Sequence, residues 1–424
     1  MSEPLKKTDD QSFLRRLGPG LITGAADDDP SGIATYSQAG AQFGLNMLWT
    51  SLVTFPLMVG IQIVSARIGR VTGEGLAANI RRLFPRWVLL IVVLLLVVAN
   101  TINIAADIAA MGEALQLVIG GGEHGHAVIF GVLSLLLQVF IPYHRYVRVL
   151  KWLTLSLLAY VAVAFSVHID WADAIRKSFV PTLSFNPDFV AVVVAVFGTT
   201  ISPYLFFWQA SQEVEELRAG NGTSSLTSTL EDARVHLRRI KIDTYVGMGF
   251  SNLIAFFIIL SAAVTLHVEG ITQIQTSAQA ALALRPIAGE FSFLLFSLGI
   301  IGTGMLAVPV LAGATAYAVA DSFGWRQGLD RKLFEATEFY AIIAIATLGG
   351  VLLDFTPIDP IKALFWSAVI NGVIAVPIMI VMMLMATRVD VMGPFVIKRR
   401  LKFLGWLATG AMALAVVTML ATAG

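Results

Sequence analysis

Residues 24–32 read Gly-Ala-Ala-Asp-Asp-Asp-Pro-Ser-Gly and place three consecutive carboxylates, Asp27 to Asp29, and a proline inside an apolar part of the chain. The flanking runs, 17–26 and 33–49, are apolar and of helical length. A charged side chain at the centre of a bilayer costs about 2.5–3.5 kcal/mol. Three in a row therefore need a compensating partner, and clustered carboxylates favour a cation. We predict that the functional site lies in this segment.

The composition is that of a membrane protein. The chain has 424 residues, of which 57% are hydrophobic and 13% charged, whereas a soluble protein carries about 25% charged residues. The absence of cysteine excludes disulfides, thiolate metal sites and thiol catalysis. We predict an all-α integral membrane protein that forms a single domain in the lipid bilayer. We expect no nucleic-acid partner, and the sequence predicts no particular protein partner.

About eleven apolar segments have the length of a membrane span. Residues 1–16 are expected to be a retained cytoplasmic segment, since no signal-peptide cleavage site precedes the first span. The polar segment 219–239 is expected to be a flexible connector. The predicted spans are 17–44, 46–67, 87–119, 126–142, 149–168, 188–216, 241–266, 288–320, 335–354, 361–386 and 402–422.

The distribution of positive charge predicts the orientation. If the spans alternate, all of the 29 Lys and Arg residues except Arg176, Lys177, Arg285 and Lys362 fall on one side of the membrane. Positive residues concentrate on the cytoplasmic side. We therefore expect a cytoplasmic N-terminus and an extracytoplasmic C-terminus, in the inner membrane of a bacterium.

Two spans contain a proline next to small polar residues. The first has Asp29-Pro30-Ser31-Gly32, and the sixth has Gly198-Thr199-Thr200-Ile201-Ser202-Pro203-Tyr204. Proline removes a backbone donor, so each span can split into two half-helices. Matched interruptions in spans one and six indicate two inverted five-helix repeats, 17–168 and 188–386, with 402–422 as an additional helix. Such matched breaks are typical of a transporter binding site.

Several short motifs resemble those of the NRAMP family of divalent-metal transporters. This resemblance implies a LeuT-type fold and a transporter, not an enzyme, whose metal ion is the transported substrate and not a cofactor. The motifs are Gly18-Pro19-Gly20, Asp29-Pro30, Gln38-Ala39-Gly40-Ala41, Gln62, Arg67-Ile68-Gly69, Thr72-Gly73, Asp107-Ile108 and residues 198–204.

The chain also departs from that family. The family's metal-binding Asn and Met fall at Gly32 and Ser202, and its two histidines of the sixth helix fall at Tyr204 and Gln209. The Glu of its third helix falls at Ala110, and the ninth span carries no Arg. This pattern resembles the NRAMP-related magnesium transporter branch.

The ligands expected from the residues and the resemblance are all oxygen atoms. We predict a metal site of Asp29, Gly32, Thr199, Thr200 and Ser202, in which Gly32 contributes space and Thr199 a backbone carbonyl. Oxygen ligands suit Mg²⁺, Ca²⁺ and Mn²⁺. Because Mg²⁺ keeps several of its waters, a wide cavity favours a partly hydrated Mg²⁺, and Mn²⁺ is expected to be accepted as well.

Six residues are candidates for the surroundings of this site or its vestibule. Asp28 is preferred over Asp27 as a second carboxylate near the site, since successive helical residues point about 100° apart and cannot all face it. Asp107 either lines the ion path or serves packing, Asn371 either binds through water or joins two helices, and Glu213 either attracts cations or ends a solvated helix. The full set is Asp28, Asp107, Tyr204, Gln209, Glu213 and Asn371.

Coupling to protons is not expected, because Tyr204, Gln209 and Ala110 stand at the relay positions of the resembled family and none of them titrates near neutral pH. The alternative is proton-coupled uptake of Mn²⁺ or another transition metal. An amino-acid carrier is disfavoured, because three aspartates would repel a substrate carboxylate. An intramembrane aspartyl protease, with Asp29 and Asp107 as its pair, leaves the repeat architecture unexplained.

Overall fold

The computed structural model of the chain describes residues 19–141, 145, 150, 152–219, 230–356 and 359–422. All regular elements in these ranges are helices. The predicted N-terminal segment 1–16 lies outside the described residues, as do residues 220–229 of the predicted connector.

The fold consists of long apolar helices with a few short ones between them. We number fifteen of them in chain order. They are α1 (Pro19–Asp27), α2 (Pro30–Phe43), α3 (Leu48–Thr72), α4 (Leu76–Leu83), α5 (Arg86–Ile119), α6 (Glu123–Phe140), α7 (Leu158–Ser166), α8 (Trp171–Phe179), α9 (Pro187–Thr200), α10 (Pro203–Ala219), α11 (Leu230–Ala262), α12 (Ser292–Phe323), α13 (Thr337–Asp354), α14 (Pro360–Ala386) and α15 (Arg399–Thr422).

The helices account for the predicted spans. Within the described ranges, nine helical stretches are long and apolar enough to cross a membrane. One of them, Pro30–Thr72, contains the second part of the first predicted span and all of the second, joined by a 3-10 turn at Gly44–Met47. The shorter apolar helix Thr154–Ser166 occupies the predicted fifth span.

Both predicted breaks occur, and each is followed by a proline. Helix α1 ends at Asp27 and α2 begins at Pro30, while α9 ends at Thr200 and α10 begins at Pro203. A proline at the first helical position loses nothing, because its missing N–H would have no partner inside the helix. The half-helices thus meet at two interruptions that leave backbone carbonyls and N–H groups free for other partners.

Glycines bring the half-helices into backbone contact with their neighbours. A Cβ atom on Gly24 of α1 would lie 2.3 Å from the carbonyl oxygen of Gly247 in α11, and one on Gly40 of α2 would lie 2.2 Å from that of Ile259. Small residues allow such close approach between membrane helices. These contacts pack both halves of the first broken span against α11.

Two features differ from the sequence prediction. Helix α11 begins at Leu230, so residues 230–239 of the predicted flexible connector are helical. These residues contain no Gly or Pro. The sequence also has acidic residues directly after Leu230, which suit a helix N-terminus. The short helices α4 and α8 were not predicted. They are amphipathic: in α4, Leu76 and Ile80 are buried while Arg81 is exposed, and eight or nine residues are too few for a span.

Candidate metal-binding site

Asp29 lies at the junction of the first broken span, where it caps α2. Its Oδ1 accepts a hydrogen bond from the backbone N–H of Gly32 at 2.7 Å. Its Oδ2 accepts from Asn103 Nδ2 at 3.2 Å and from the Tyr204 hydroxyl at 3.4 Å. The side chain is only 2% exposed. Three elements, α2, α5 and α10, therefore orient this one carboxylate.

Tyr204 connects the two breaks. Its hydroxyl also lies 3.1 Å from the carbonyl oxygen of Ala26, in the last turn of α1, and donates to it. Because a hydroxyl has one hydrogen, the Ala26 carbonyl and Asp29 share this donor. Tyr204 thus holds the start of α10 beside the end of α1, where free carbonyls carry partial negative charge.

Gly32 faces the second break. A Cβ atom built on it would lie 3.4 Å from Thr199 Oγ1 and 3.4 Å from Asp29 Oδ1. It would also lie 3.3 Å from the ring of Tyr36, whose hydroxyl is 2.9 Å from Thr200 Oγ1. Asp29, Gly32, Thr199 and Thr200, separated by up to 171 positions in sequence, therefore surround one place.

Ser202 occupies the second break itself. Its hydroxyl is 2.6 Å from the Thr199 carbonyl oxygen and 2.9 Å from that of Gly198, and it donates to these two acceptors. The Thr200 hydroxyl lies 2.6 Å from the carbonyl of Val196. Both hydroxyl oxygens keep lone pairs that can accept or coordinate. All five predicted ligand residues thus lie at or beside the two breaks.

Asp28 and its neighbour Asp27 share a different partner. The Ser251 hydroxyl of α11 is 2.5 Å from Asp27 Oδ2 and 2.9 Å from Asp28 Oδ1. Both carboxylates are buried. The three aspartates therefore do not act as one cluster: Asp29 faces α5 and α10, and the other two contact α11.

Asp107 is fully buried next to Asp29 and Ser31. Neither of its carboxylate oxygens has a hydrogen bond of normal geometry within the part of the chain that the structure describes. One helical turn earlier, Asn103 donates to Asp29 and accepts from the Ser367 hydroxyl at 2.7 Å. Ser367 in turn lies 3.2 Å from the Ser31 hydroxyl. This arrangement places Asp107 near Asp29 and the start of α2.

The sequence analysis gave no role at the site to Asn103, Tyr36, Ser251 or Ser367. Only Asn103 could have been found, because it lies four residues before Asp107 on the same face of one helix. The others come from different helices, so no spacing in the sequence brings them together.

Gln209, Asn371 and Glu213 lie away from the contacts of Asp29. Gln209 donates to the Thr244 hydroxyl at 3.1 Å. Asn371 is buried without a partner for Oδ1 among the described residues, and it precedes Gly372, which packs against Gly198. The interpretation of Glu213 as part of a solvated helix end is wrong: it is 0% exposed and its Oε2 lies 3.2 Å from Arg239 Nη2.

In the ranges that the structure covers, no three His, Cys, Asp or Glu side chains converge to hold a metal ion. Asp29 is the carboxylate at the junction of the first broken span, and the Thr199 and Thr200 hydroxyls of the second break lie close by.

Comparison with known proteins finds similar sequences over almost the whole chain. The Nramp family model, described as natural resistance-associated macrophage protein-like, matches residues 20–422. The divalent metal cation transporter MntH of Deinococcus radiodurans is 28% identical over 404 residues, covering 93% of this chain and 86% of the relative. MntH of Klebsiella pneumoniae is 27% identical over 403 residues, covering 93% and 90%.

Two solved structures show the fold. The manganese transporter of Eremococcus coleocola, in complex with an aromatic bis-isothiourea compound, matches with a TM-score of 0.73 at 15% identity, over 99% of this chain and 88% of that one. Mhp1, a nucleobase-cation-symport-1 family transporter, matches with a TM-score of 0.53 at 13% identity, over 96% and 92%. The predicted LeuT-type architecture with broken first and sixth helices is confirmed. Since the family model spans almost the whole chain, the protein belongs to the Nramp family of integral membrane divalent metal cation transporters.

Proposed function

We propose that the protein transports Mg²⁺ as a partly hydrated ion and also accepts Mn²⁺. The transport of both ions is not coupled to protons. The observation that carries this proposal is the makeup of the two breaks. One carboxylate, Asp29, lies among hydroxyl and carbonyl oxygens, and Gly32 adds no side-chain ligand beside Thr199 Oγ1.

The chemistry of the donor set supports a hard cation. The side chains that contact Asp29 are the amide of Asn103 and the phenol of Tyr204, and neither contains sulfur. Thioether ligands favour softer transition metals, whereas oxygen ligands suit both Mg²⁺ and Mn²⁺. The Eremococcus coleocola relative is a manganese transporter by name, which supports acceptance of Mn²⁺ here.

The small residues at the site are the second argument for a hydrated ion. Gly32 has no side chain, and Ser202 is short and turned toward the carbonyls of Gly198 and Thr199. Mg²⁺ gives up water reluctantly and is held through one or two carboxylates. A single carboxylate flanked by residues with small or no side chains matches that requirement.

Replacing Ser202 with methionine tests the selectivity. A thioether at this position should favour Mn²⁺ and crowd the waters of Mg²⁺, so the ratio of Mg²⁺ to Mn²⁺ uptake should fall about tenfold, or about 1.4 kcal/mol in relative binding. The measurement is uptake of both ions by proteoliposomes. Ser166→Met, at an exposed position of α7, is the matched control. An unchanged ratio in Ser202→Met would remove the donor-set argument.

The absence of proton coupling is tested in the same vesicles. Tyr204 and Gln209 hydrogen bond to the Ala26 carbonyl and to Thr244, and neither side chain type titrates near neutral pH. With a lumenal pH dye and an inside-negative potential, we expect metal entry without acidification. The potential supplies about 2.3 kcal/mol per charge per 100 mV, so a divalent ion gains twice that. Acidification in proportion to metal flux would instead support proton-coupled transport, the alternative mechanism.

A further inference from the structure

A small cavity rich in arginine lies at one end of the bundle, apart from the metal site. Its volume is about 210 Å³, and it is bordered by the ends of α3, α10 and α12 and by α4. By the predicted alternation of the spans, this is the end with most of the Lys and Arg residues. Four arginines line the cavity: Arg81, Arg218, Arg326 and Arg331.

Among the residues that the structure describes, none of these four guanidinium groups forms an ion pair. The ion pairs among the described residues involve other basic side chains. Of the two acidic residues in the lining, Glu74 lies 3.7 Å from Arg82, outside the cavity lining. Asp321 is 6% exposed, accepts from Gln327, and lies against Gly75 at the start of α4. Four positive charges therefore outnumber two negative ones, and both carboxylates have other contacts.

The four arginines come from three parts of the fold. Arg81 belongs to α4 and packs against Gly324. Arg218 is in the last turn of α10, the second half of the sixth span. Arg326 and Arg331 lie in the segment that follows α12. Folding thus holds like charges together at a cost, and a bound anion would offset that cost.

We propose that this cavity binds a phosphate group, and specifically the headgroup phosphate of an anionic phospholipid. The planar guanidinium group donates in a fork that matches phosphate oxygens, and several such groups around one point are a phosphate-binding arrangement. Basic pockets between membrane helices bind lipid headgroups in this way.

The aromatic residues at the cavity favour a lipid over a free phosphate. Trp325 lines the cavity and stacks on Phe323 with ring centroids 4.8 Å apart and planes at 18°. Both rings are exposed, Phe323 by 62% and Trp325 by 37%. Exposed aromatic rings at the end of a span are typical of the membrane–water interface. The cavity is therefore at the depth where headgroup phosphates lie.

The test measures the thermal unfolding midpoint of the purified full-length protein in a neutral detergent. Titrations with cardiolipin, with zwitterionic phosphatidylcholine and with inorganic phosphate are compared. The double variant Arg218→Gln/Arg326→Gln removes two exposed cavity arginines, and Arg234→Gln/Arg238→Gln removes two exposed arginines of α11 at the same end. We expect cardiolipin to raise the midpoint of the parent, and its apparent affinity to fall at least about tenfold in the cavity variant only.

The possible results separate the two phosphate sources. Stabilisation by cardiolipin that the cavity variant loses and the α11 variant keeps supports the lipid site. Equal stabilisation by phosphate at matched headgroup concentration, also lost in the cavity variant, supports a phosphate site but overturns the lipid as its source. Equal loss in both variants, or no preference for cardiolipin over phosphatidylcholine, overturns the site itself.

Discussion

Replacing Asp29 with asparagine is expected to abolish metal transport while the fold is kept. Asn has the size of Asp, and its side-chain oxygen can still accept the Gly32 N–H that caps α2. What the variant loses is the negative charge at the point where the two breaks meet. At membrane depth, removing the one carboxylate that faces a divalent ion should reduce uptake at least about 100-fold, which is about 2.7 kcal/mol.

The neighbouring carboxylates are not expected to substitute for Asp29. Asp27 and Asp28 both contact the Ser251 hydroxyl of α11, and moving either one to the site would give up its contact with that hydroxyl. Asp107 is close to Asp29, but it lies on α5, a continuous helix that cannot supply the free backbone carbonyls of a break.

Two measurements decide this prediction. Uptake of Mg²⁺ and Mn²⁺ into proteoliposomes reports function, and stabilisation of the purified protein by millimolar Mg²⁺ reports binding. Asp173→Asn, at the exposed end of α8 where Asp173 pairs with Arg176, should leave both unchanged. If Asp29→Asn transports Mg²⁺ at more than a tenth of the parental rate, the proposed ion site is in the wrong place.

The sequence was sufficient for the spans and the breaks because local chemistry determines both. Pro30 and Pro203 can only begin a helix or bend one, and a buried Asp29 has few uses other than to cap a helix and meet a cation. The same reasoning could not identify Ser251 as the hydrogen-bond partner of Asp27 and Asp28, because these residues are 223 or more positions apart in the sequence. It also missed α4, whose eight residues form a helix through packing of Leu76 and Ile80 and not through propensity alone.

Glu213 shows how tertiary contacts override a local pattern. Three glutamates at the end of a span resemble a solvated helix end, yet Arg239 of α11 reaches Glu213 and Glu216. Arg239 belongs to the stretch that the sequence analysis assigned to a flexible connector. Without knowing that residues 230–239 are helical, the partner of Glu213 could not be identified.

We expect Gly198→Val to disrupt both folding and transport, because Gly198 packs closely against the backbone of α14. A Cβ atom on Gly198 would lie 2.1 Å from the carbonyl oxygen of Ala368 and 2.5 Å from the backbone nitrogen of Gly372. Both atoms belong to the backbone of α14, so no side chain can move aside. Overpacking commonly costs about 1–3 kcal/mol, and a contact with backbone should reach the upper end of that range.

The expected damage extends to the site, because Gly198 begins the segment that forms the second break. Its carbonyl accepts from Ser202, and Thr199 and Thr200 follow it directly, so separating α9 from α14 would displace the predicted ligands. We expect a lower thermal unfolding midpoint together with uptake at or near background. Gly410→Val in α15 is the matched control, since a Cβ atom there meets nothing within 4 Å. If Gly198→Val keeps the parental midpoint and uptake while folding as a monodisperse protein, then α9 and α14 need not touch through their backbones, and the second break must be held in place by Ser202 and Tyr204 alone.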